Sequence, residues 1–363
     1  MACFEREIYM KQFKRIGVLT SGGDAPGMNA AVRAVVRAAL SNGVEVVGIY
    51  RGYSGLIDGD IRPLAVRDVS NTINKGGTVL YSDRCPELKT PEGLAQAVAT
   101  CKKFGIDGIV TIGGDGTFRG ATALTLQGIP CIGIPGTIDN DISSTDNTIG
   151  FDTASNTALD LVDKLRDTCE SHARCNVIEV MGRGAGDIAL VTGLAAGATA
   201  VAIPEFDFDE REVLERIKSS KKLGKRNFIV IVSEGLGSDY APALAKKIQS
   251  ETGVETKFAR FAHIVRGGTP TMRDRILATK MGVYAVDRLL EGKSNIVICE
   301  RDGEIVSNDI SYALKLDDMY KGTLEEGDLD GFSAEEIERM KKECRERRDR
   351  MERAYRIGFR ISL

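Results

Sequence analysis

The chain has 363 residues, of which 42% are hydrophobic, and a formal net charge of -3 at pH 7. This length and apolar content allow a sizeable core in a soluble globular protein of two domains. The charge balance argues against nucleic acid as a partner, because binding to a phosphate backbone needs a positively charged surface. No long unbroken apolar run is present, which argues against a membrane protein.

Residues 1–14 are mixed in charge and lack the apolar core of about 7–15 residues of a secretory signal, which predicts a cytoplasmic location. Eight cysteines include no CxxC pair, and with only two histidines in the chain a zinc site is not expected. In the reducing cytosol we expect these cysteines to be thiols. Cys85 follows Arg84, and we expect it to pack rather than to act as a nucleophile.

From Arg15 onward, apolar runs typical of buried strands alternate with amphipathic helical patterns. The predicted strands are 16–19, 44–50, 106–112, 129–134, 177–181, 199–203 and 228–232. The predicted helices are 28–40, 211–222, 242–252 and 272–290. This alternation predicts an α/β fold with two domains, each built on a mostly parallel, doubly wound sheet. Residues 333–353 are dense in Glu, Lys and Arg, which predicts a charged C-terminal surface helix rather than a functional tail.

The first glycine-rich junction, residues 19–29, joins a buried strand to an amphipathic helix and has three glycines around a proline. In open α/β sheets, ligands bind outside the carboxyl ends of the strands, so this loop could cradle a polyphosphate. It is neither a Walker A loop nor a GxGxxG loop, so a dinucleotide-binding oxidoreductase gains no support. A tight structural turn is the alternative at this junction.

A second junction, Gly113-Gly114-Asp115-Gly116-Thr117, places one carboxylate among three glycines. Backbone N–H groups can then approach phosphate oxygens while Asp115 binds the accompanying Mg²⁺, as phosphoryl transfer requires. The motif leaves the phosphoryl acceptor open, because NAD kinases and lipid kinases also use a GGDGT loop.

A third segment, residues 135–141, reads PGTIDND. If it is extended, alternation puts Thr137, Asp139 and Asp141 on one face. One carboxylate could then deprotonate a hydroxyl while the other holds Mg²⁺. An ordinary Asn/Asp turn explains the same residues equally well.

The three junctions are followed by GFDTA at 150–154, MGR at 181–183 and HIVRGG at 263–268. In this order the motifs resemble the 6-phosphofructokinase family, and the resemblance runs over about residues 15–318. It implies transfer of the γ-phosphoryl group of ATP, with Mg²⁺, to the 1-hydroxyl of fructose 6-phosphate in glycolysis. It also implies an active site in a cleft between the domains.

By this resemblance, residues 12–150 and 263–313 form the ATP- and Mg²⁺-binding domain. Residues 151–262 and 314–331 form the sugar-phosphate domain, and residues 332–363 form the charged C-terminal helix and tail.

The resemblance also assigns roles to individual residues. The catalytic positions are Asp139, as the base, with Thr137, Arg183 and Gly23. The nucleotide positions are Gly23, Tyr53, Arg84, Cys85, Gly114, Asp115, Gly116 and Thr117, with Asp115 as the metal ligand and Lys89 nearby. The sugar-phosphate positions are Thr137, Asp139, Asp141, Arg174, Met181, Gly182, Arg183, Glu234, Lys257, His263 and Arg266. Without the family, Arg174, Arg183 and Arg266 would be read as ordinary surface or ion-paired arginines.

The phosphoryl donor is predicted from two small residues. Pyrophosphate-dependent members typically carry an aspartate where Gly116 stands and a lysine where Gly136 stands. Two glycines leave room for the rest of a nucleotide, so we predict ATP. A pyrophosphate-dependent enzyme is one alternative. A sugar-phosphate-binding regulatory subunit without catalysis is another, although the intact Asp115, Asp139 and Asp141 argue against it.

Lys257 departs from the family pattern, because bacterial members usually have an arginine there that reaches the 6-phosphate across a subunit boundary. A lysine keeps the charge without the bidentate fork, although nearby Arg260 could compensate. The resemblance implies a homotetramer in which Arg174, Lys257 and Arg266 complete sites in neighbouring subunits.

A second site in bacterial relatives binds nucleoside diphosphate or phosphoenolpyruvate. The matching residues here are Arg33, Arg37, Arg166 and Lys225. Arg33 and Arg37 lie four residues apart on one predicted helix face, a spacing that suits an anion but that an ordinary solvated basic face would also show. The chain departs from the pattern at Val66, Thr199 and Leu223. We therefore expect a weakened or altered effector response.

Overall fold

The structure, a computed structural model, describes residues 13–362 and separates them into two compact units. The first unit contains residues 13–138, 142–152 and 266–337. The second unit contains residues 139–141, 153–265 and 338–362. Residues 314–331, expected with the sugar-phosphate domain, group with the first unit. The predictions for the N-terminal residues 1–12, which include Cys3, lie outside the described residues.

Most of the described residues belong to strands and helices, numbered here in chain order. The strands are β1 (Arg15–Thr20), β2 (Glu45–Ile49), β3 (Ile61–Leu64), β4 (Gly108–Gly113), β5 (Cys131–Pro135), β6 (Cys175–Val180), β7 (Ala200–Ala202), β8 (Phe228–Ser233), β9 (Thr256–Arg260), β10 (Ile296–Arg301) and β11 (Glu304–Asp309). The helices are α1 (Met28–Ser41), α2 (Gly52–Asp58), α3 (Pro91–Phe104), α4 (Asp115–Leu126), α5 (Phe151–His172), α6 (Asp187–Ala195), α7 (Glu210–Lys222), α8 (Tyr240–Thr252), α9 (Met272–Leu290), α10 (Ile310–Lys321) and α11 (Ala334–Ile361). Short 3-10 helices cover Pro86–Lys89, Glu234–Leu236 and Ala262–Arg266.

The first unit is built on a seven-stranded sheet in the order β11-β10-β5-β4-β1-β2-β3. Its central strands are parallel, whereas β3 and β11 are antiparallel edge strands. All six residues of β4 are buried, as expected of a parallel strand covered on both faces. Phe118 of α4 is 1% exposed and lies over Gly133 of β5, where a Cβ atom would come within 2.7 Å of its ring. The glycine in β5 is therefore needed for this close helix–sheet packing.

The second unit is built on a four-stranded sheet in the order β7-β8-β6-β9, and all its strand pairs are parallel. The strands β6 and β8 are buried along their whole length. They pack with α7 and α8 through a cluster of apolar residues that includes Val213, Ile217, Phe228, Leu244 and Ile248. The predicted α/β class with mostly parallel sheets is confirmed in both units.

Each predicted strand and helix is present, with ends shifted by a few residues. The sequence analysis did not predict β3, β9, β10 and β11. Three of these have exposed or half-buried residues along much of their length, so they lack the continuous apolar run of a buried strand. Among the described residues, no helix combines the length and apolar character needed to cross a membrane.

Two expectations about local structure need correction. The segment from Thr137 to Asp141 is not extended, because residues 138 and 139 bend and Asn140 has a φ of 52°. The three side chains therefore do not share one face of an extended strand, and the local conformation by itself does not decide whether they form a site. The helix α11 is charged as predicted, but it is not a surface element throughout, because Met340, Arg347 and Met351 are buried.

Phe118 offers a test of the packing in the first unit. We expect Phe118→Ala to lower the free energy of unfolding by about 3–5 kcal/mol, because the cavity over Gly133 cannot close fully. Leu126→Ala, at a residue of the same helix that is 79% exposed, should change it by less than about 0.5 kcal/mol. Urea-induced unfolding followed by circular dichroism measures both, and equal effects of the two substitutions would contradict the packing described.

Candidate active site

The first glycine loop, residues 21–27, follows β1 at its carboxyl end and leads into α1. Two of its glycines have left-handed backbones, Gly22 with a φ of 86° and Gly27 with a φ of 107°, which side chains rarely adopt. The Gly22 N–H donates to the Asp83 carbonyl at 3.3 Å, and the Ser82 hydroxyl donates to the Gly22 carbonyl at 2.5 Å. These bonds hold the loop that carries Arg84 beside the first glycine loop.

The second glycine loop follows β4 and forms the N-terminus of α4. The Thr117 hydroxyl donates to the Ser21 carbonyl at 3.1 Å, which ties this loop to the first one. A Cβ atom at Gly114 or Gly116 would meet nothing within 4 Å, so space is open beside the first turn of α4. The positive end of a helix dipole favours an anion at this N-terminus, which fits a phosphate group.

Asp115, the predicted metal ligand, is the first residue of α4, and its Oδ2 atom lies 3.5 Å from the Lys321 Nζ atom. Close by, Asp317 of α10 is 3% exposed, and its Oδ1 atom accepts the Ser143 N–H at 2.5 Å. Burial, and next the negative charge of Asp115, raise the pKa of the Asp317 carboxyl to about 7. The site therefore contains a second carboxyl group, which the sequence analysis missed.

The described residues contain no group of three or more His, Cys, Asp or Glu side chains placed to hold a metal ion. Mg²⁺ needs no such group, because it usually binds one or two protein carboxylates together with phosphate oxygens and water. Asp115, at a helix N-terminus that favours phosphate, has the donor chemistry that this arrangement requires.

Two residues predicted at the nucleotide site contact the core of the first unit: Tyr53 belongs to it, and the half-buried Cys85 packs against it. Tyr53 is 3% exposed, and its hydroxyl donates to the Thr117 carbonyl at 2.5 Å. Burial raises the pKa of this phenol well above its ordinary value. Tyr53 therefore supports the second glycine loop from the core of the first unit. Arg84 and Lys89, which were also predicted near the nucleotide, are exposed.

The Arg266 guanidinium lies beside the first glycine loop. Its Nη1 atom donates to the Asp24 carbonyl at 3.1 Å, and a Cβ atom at Gly23 would come within 2.8 Å of the same nitrogen. A side chain at position 23 would therefore require the end of the Arg266 side chain to shift. Within one chain, the structure brings Arg266 to the predicted nucleotide loop.

In the second unit, the acidic segment is buried: Asp139 is 6% exposed, Asn140 4% and Asp141 7%. The Arg183 Nη1 atom lies 3.9 Å from the Asp141 Oδ2 atom, and the Arg183 side chain is otherwise 74% exposed. An exposed guanidinium next to a buried carboxylate can bind an incoming phosphate oxygen while it balances the charge of Asp141.

The turn of Met181, Gly182 and Arg183 follows β6, and Glu234 follows the neighbouring strand β8. The Glu234 Oε1 atom accepts the N–H groups of Gly182 at 3.2 Å and Arg183 at 2.8 Å. Arg183 has a left-handed φ of 57°, so these bonds stabilise a backbone conformation that is uncommon for arginine. Glu234 therefore positions the turn.

Arg174 and Lys257 are not brought to this turn. Arg174 precedes β6, so it lies at the opposite end of that strand from Arg183, roughly 20 Å away along a six-residue strand. Glu255 contacts both cations, at 2.8 Å from the Arg174 Nε atom and 2.9 Å from the Lys257 Nζ atom. The Arg174 hydrogen bond, and next that of Lys257, lower the pKa of Glu255 to about 2. His263 is exposed on the 3-10 helix after β9.

The predicted effector residues lie in both units. Arg33 and Arg37 are half-buried on α1. Arg166 donates to the Asn227 side chain at 3.1 Å and to the Ala196 carbonyl, and the Lys225 Nζ atom donates to the Ser362 carbonyl at 3.3 Å. Burial, and next the charges of Arg166 and Arg216, lower the pKa of Lys225. Two of the four cations therefore already contact protein oxygens.

Phosphate-favouring glycine loops and buried carboxylates at the carboxyl ends of parallel strands define an α/β protein that binds phosphate groups. The family model described as phosphofructokinase matches residues 15–289, and the chain belongs to the phosphofructokinase family.

The chain is 56% identical over 297 residues to an ATP-dependent 6-phosphofructokinase of Bacillus pumilus, with coverage of 82% of this chain and 92% of that protein. It is 55% identical over the same length to the Bacillus subtilis protein of that name, with the same two shares. Among solved structures, a phosphofructokinase from Saccharomyces cerevisiae matches with a TM-score of 0.82 and 35% identity, over 87% of this chain and 47% of the yeast chain. This chain thus spans about half the length of the yeast one.

The hydrogen bond from Thr117 to Ser21 can be removed with little change in shape. We expect Thr117→Val to raise the KM for ATP about tenfold, because the Ser21 carbonyl loses its donor and the two loops are no longer tied. Thr122→Val is the control, because the Thr122 hydroxyl on the same helix contacts the Asn295 side chain instead. Steady-state kinetics measures both variants, and an equal rise in KM would argue against this role for Thr117.

Proposed function

We propose that the protein transfers the γ-phosphoryl group of ATP to the 1-hydroxyl of fructose 6-phosphate, giving fructose 1,6-bisphosphate and ADP. The observation that carries the proposal is the pair of buried carboxylates, Asp139 and Asp141, beside Arg183 in a member of the phosphofructokinase family. A buried carboxylate can accept a hydroxyl proton, and an adjacent guanidinium can stabilise charge on the transferring group.

Asp139 is the proposed base. Asp141 forms an ion pair with Arg183, so its role is to orient that guanidinium, which in turn binds phosphate oxygens. Thr137 lies two residues before Asp139, and its carbonyl accepts the Thr148 hydroxyl at 2.6 Å, which fixes the backbone leading into the acidic segment. Glu234 sets the backbone of Arg183 on the other side.

The nucleotide phosphates are proposed to bind the two glycine loops, with Asp115 as the protein ligand of Mg²⁺. Bound Mg²⁺ would neutralise negative charge on the phosphate oxygens. Lys321 lies 3.5 Å from Asp115 and keeps its carboxylate oriented, and Thr117 holds the second loop against the first.

ATP is the proposed donor because of the space at Gly116. A Cβ atom there would meet nothing within 4 Å, so packing does not require glycine at this position. Unlike an aspartate, glycine carries no negative charge, so an anion can approach the first turn of α4. Gly136 is different, because a Cβ atom would lie 2.9 Å from the Ile112 side chain and 3.2 Å from that of Met28. Glycine at 136 therefore also serves the core, and Gly116 is the cleaner indicator of the donor.

A homotetramer with shared sites is proposed as well, in a cytoplasmic setting. The supporting observation is that Arg174 and Lys257 lie at the end of the second sheet opposite to Arg183 and Glu234. One chain therefore does not collect all the predicted sugar-phosphate residues at one end of this sheet. A neighbouring subunit that presents its own Arg174 and Lys257 would supply the missing cations.

The decisive assay measures turnover of fructose 6-phosphate with ATP and, separately, with pyrophosphate. We expect turnover with ATP, and we expect Asp139→Asn to lower kcat by about 10²–10⁴-fold, because the base is lost while its shape is kept. Asp160→Asn, at an exposed residue of α5, should leave kcat unchanged.

Turnover with pyrophosphate alone would overturn the donor. Binding of fructose 6-phosphate without turnover from either donor would indicate the regulatory subunit instead.

The effector response is expected to be weak. Arg166 and Lys225 contact protein oxygens, and Val66, Thr199 and Leu223 replace the usual residues. At subsaturating fructose 6-phosphate, ADP or phosphoenolpyruvate should therefore change the rate by less than about fivefold, below the common range of allosteric coupling. An assay that follows fructose 1,6-bisphosphate tests this, and strong activation by ADP would refute it.

A further inference from the structure

Arg347 is the one arginine among the buried residues of the charged helix α11. It is 9% exposed and lies on the same face as Met340 and Met351, at i+7 and i+11 spacing from Met340. Arginine is almost never buried unless it is paired, so the partners of Arg347 are the key to its role.

The guanidinium joins two segments of the second unit. Its Nη2 atom donates to the Asn140 carbonyl at 2.7 Å and lies 3.2 Å from the Asp187 Oδ2 atom. The Asp187 Oδ1 atom also accepts the Asn140 side-chain N–H at 3.1 Å. The three residues therefore form a closed triangle in which Asn140 is held by both its carbonyl and its side chain. We call this group the Arg347 clamp.

The position of Asp187 strengthens the clamp. Asp187 is the first residue of α6, where the positive end of the helix dipole stabilises a carboxylate. The Asp187 carboxylate thus forms an ion pair with Arg347, accepts a hydrogen bond from the Asn140 side chain and interacts favourably with the dipole of α6. The helix α6 gives the clamp a rigid base.

Asn140 is the residue between the two buried carboxylates, Asp139 and Asp141. Its φ of 52° is left-handed, a conformation that asparagine tolerates better than most residues but that still needs support from its surroundings. The Asn140 carbonyl belongs to the same peptide plane as the Asp141 N–H. Fixing this carbonyl therefore fixes the direction in which the chain enters Asp141, and fixing φ sets the direction from which it leaves Asp139.

We propose that Arg347 is a positioning residue for phosphoryl transfer, and that it acts through Asn140 to hold Asp139 and Asp141 in their reactive orientation. The inference rests on the proposed function, since it assigns to the C-terminal helix a role in that same reaction. A shift of about 1 Å in a reacting group can lower a rate about a hundredfold, so a clamp on the backbone between the proposed base and the carboxylate that orients Arg183 has a measurable effect.

Arg348 provides a matched control. It is the next residue of α11 and is also an arginine bound to the second unit, with its Nη2 atom 3.2 Å from the Glu205 carbonyl and its guanidinium near the Phe206 ring. Glu205 and Phe206 both lie outside the Asp139–Asp141 segment. If arginines on α11 only attach the helix, substitutions at 347 and 348 should act alike.

The test compares Arg347→Met, Arg347→Lys and Arg348→Met by steady-state kinetics with ATP and fructose 6-phosphate. We expect Arg347→Met to lower kcat about 10- to 100-fold with the KM for ATP unchanged within about twofold. Arg347→Lys should restore part of the loss, because a lysine keeps the charge but can make fewer directed hydrogen bonds. Arg348→Met should keep the wild-type kcat.

A second readout is independent of activity. Hydrogen–deuterium exchange should be faster in the peptide that covers residues 135–145 in Arg347→Met and not in Arg348→Met. If wild type turns over neither donor, the proposed function fails, and this exchange pattern still decides whether the clamp exists.

Wild-type kcat in folded Arg347→Met, or equal losses at positions 347 and 348, would overturn the proposal. Should Arg347→Met fail to fold, Arg347→Lys decides: a kcat lowered at least about threefold supports positioning, and an unchanged kcat refutes it.

Discussion

The hydrogen bond between the Thr117 hydroxyl and the Ser21 carbonyl is the interaction on which the geometry of the two glycine loops depends. Glycine-rich backbone is favourable for phosphate binding only if its conformation is fixed beforehand, because glycine loses more conformational freedom on ordering than any other residue. Here side-chain hydrogen bonds fix the conformation of the loops. Thr117 ties one loop to the other, Tyr53 supports Thr117 from the core, and Ser82 holds the first loop from a third segment.

In the second unit, charged side chains fix the backbone in the same way. The Met181–Arg183 turn is held by the Glu234 carboxylate, and Asn140 is held by Arg347 and Asp187. In both cases a side chain from a distant segment satisfies backbone groups that regular secondary structure leaves unpaired. The left-handed residues Asn140 and Arg183 sit at these two points, where the surrounding contacts outweigh local backbone preference.

The sequence predicted the buried framework well, because strands such as β4 and β8 are covered on both faces and must be apolar throughout. It could not predict β9, whose exposed Lys257 and Phe258 form a strand only through pairing with β6. The motifs located the glycine loops and the acidic segment. Asp317 was missed because an aspartate in an amphipathic helix carries no signal of burial, and its closeness to Asp115 arises from the fold. Arg347 was missed for a related reason, since a buried arginine and a solvated one look the same in a charged helix.

The contact between Asn140 and Arg347 also bears on how the protein is made. The two residues are 207 positions apart, so a ribosome completes the acidic segment long before it synthesises the arginine that clamps it. Domains generally begin to fold during synthesis from the N-terminal side. The sheet of the first unit is also completed late, because β10 pairs with β5 but is synthesised after all four strands of the second sheet. Nascent chains that end before α11 therefore contain Asp139 and Asp141 without Arg347, and the contacts of Arg347 with Asn140 and Asp187 form only after α11 has been synthesised.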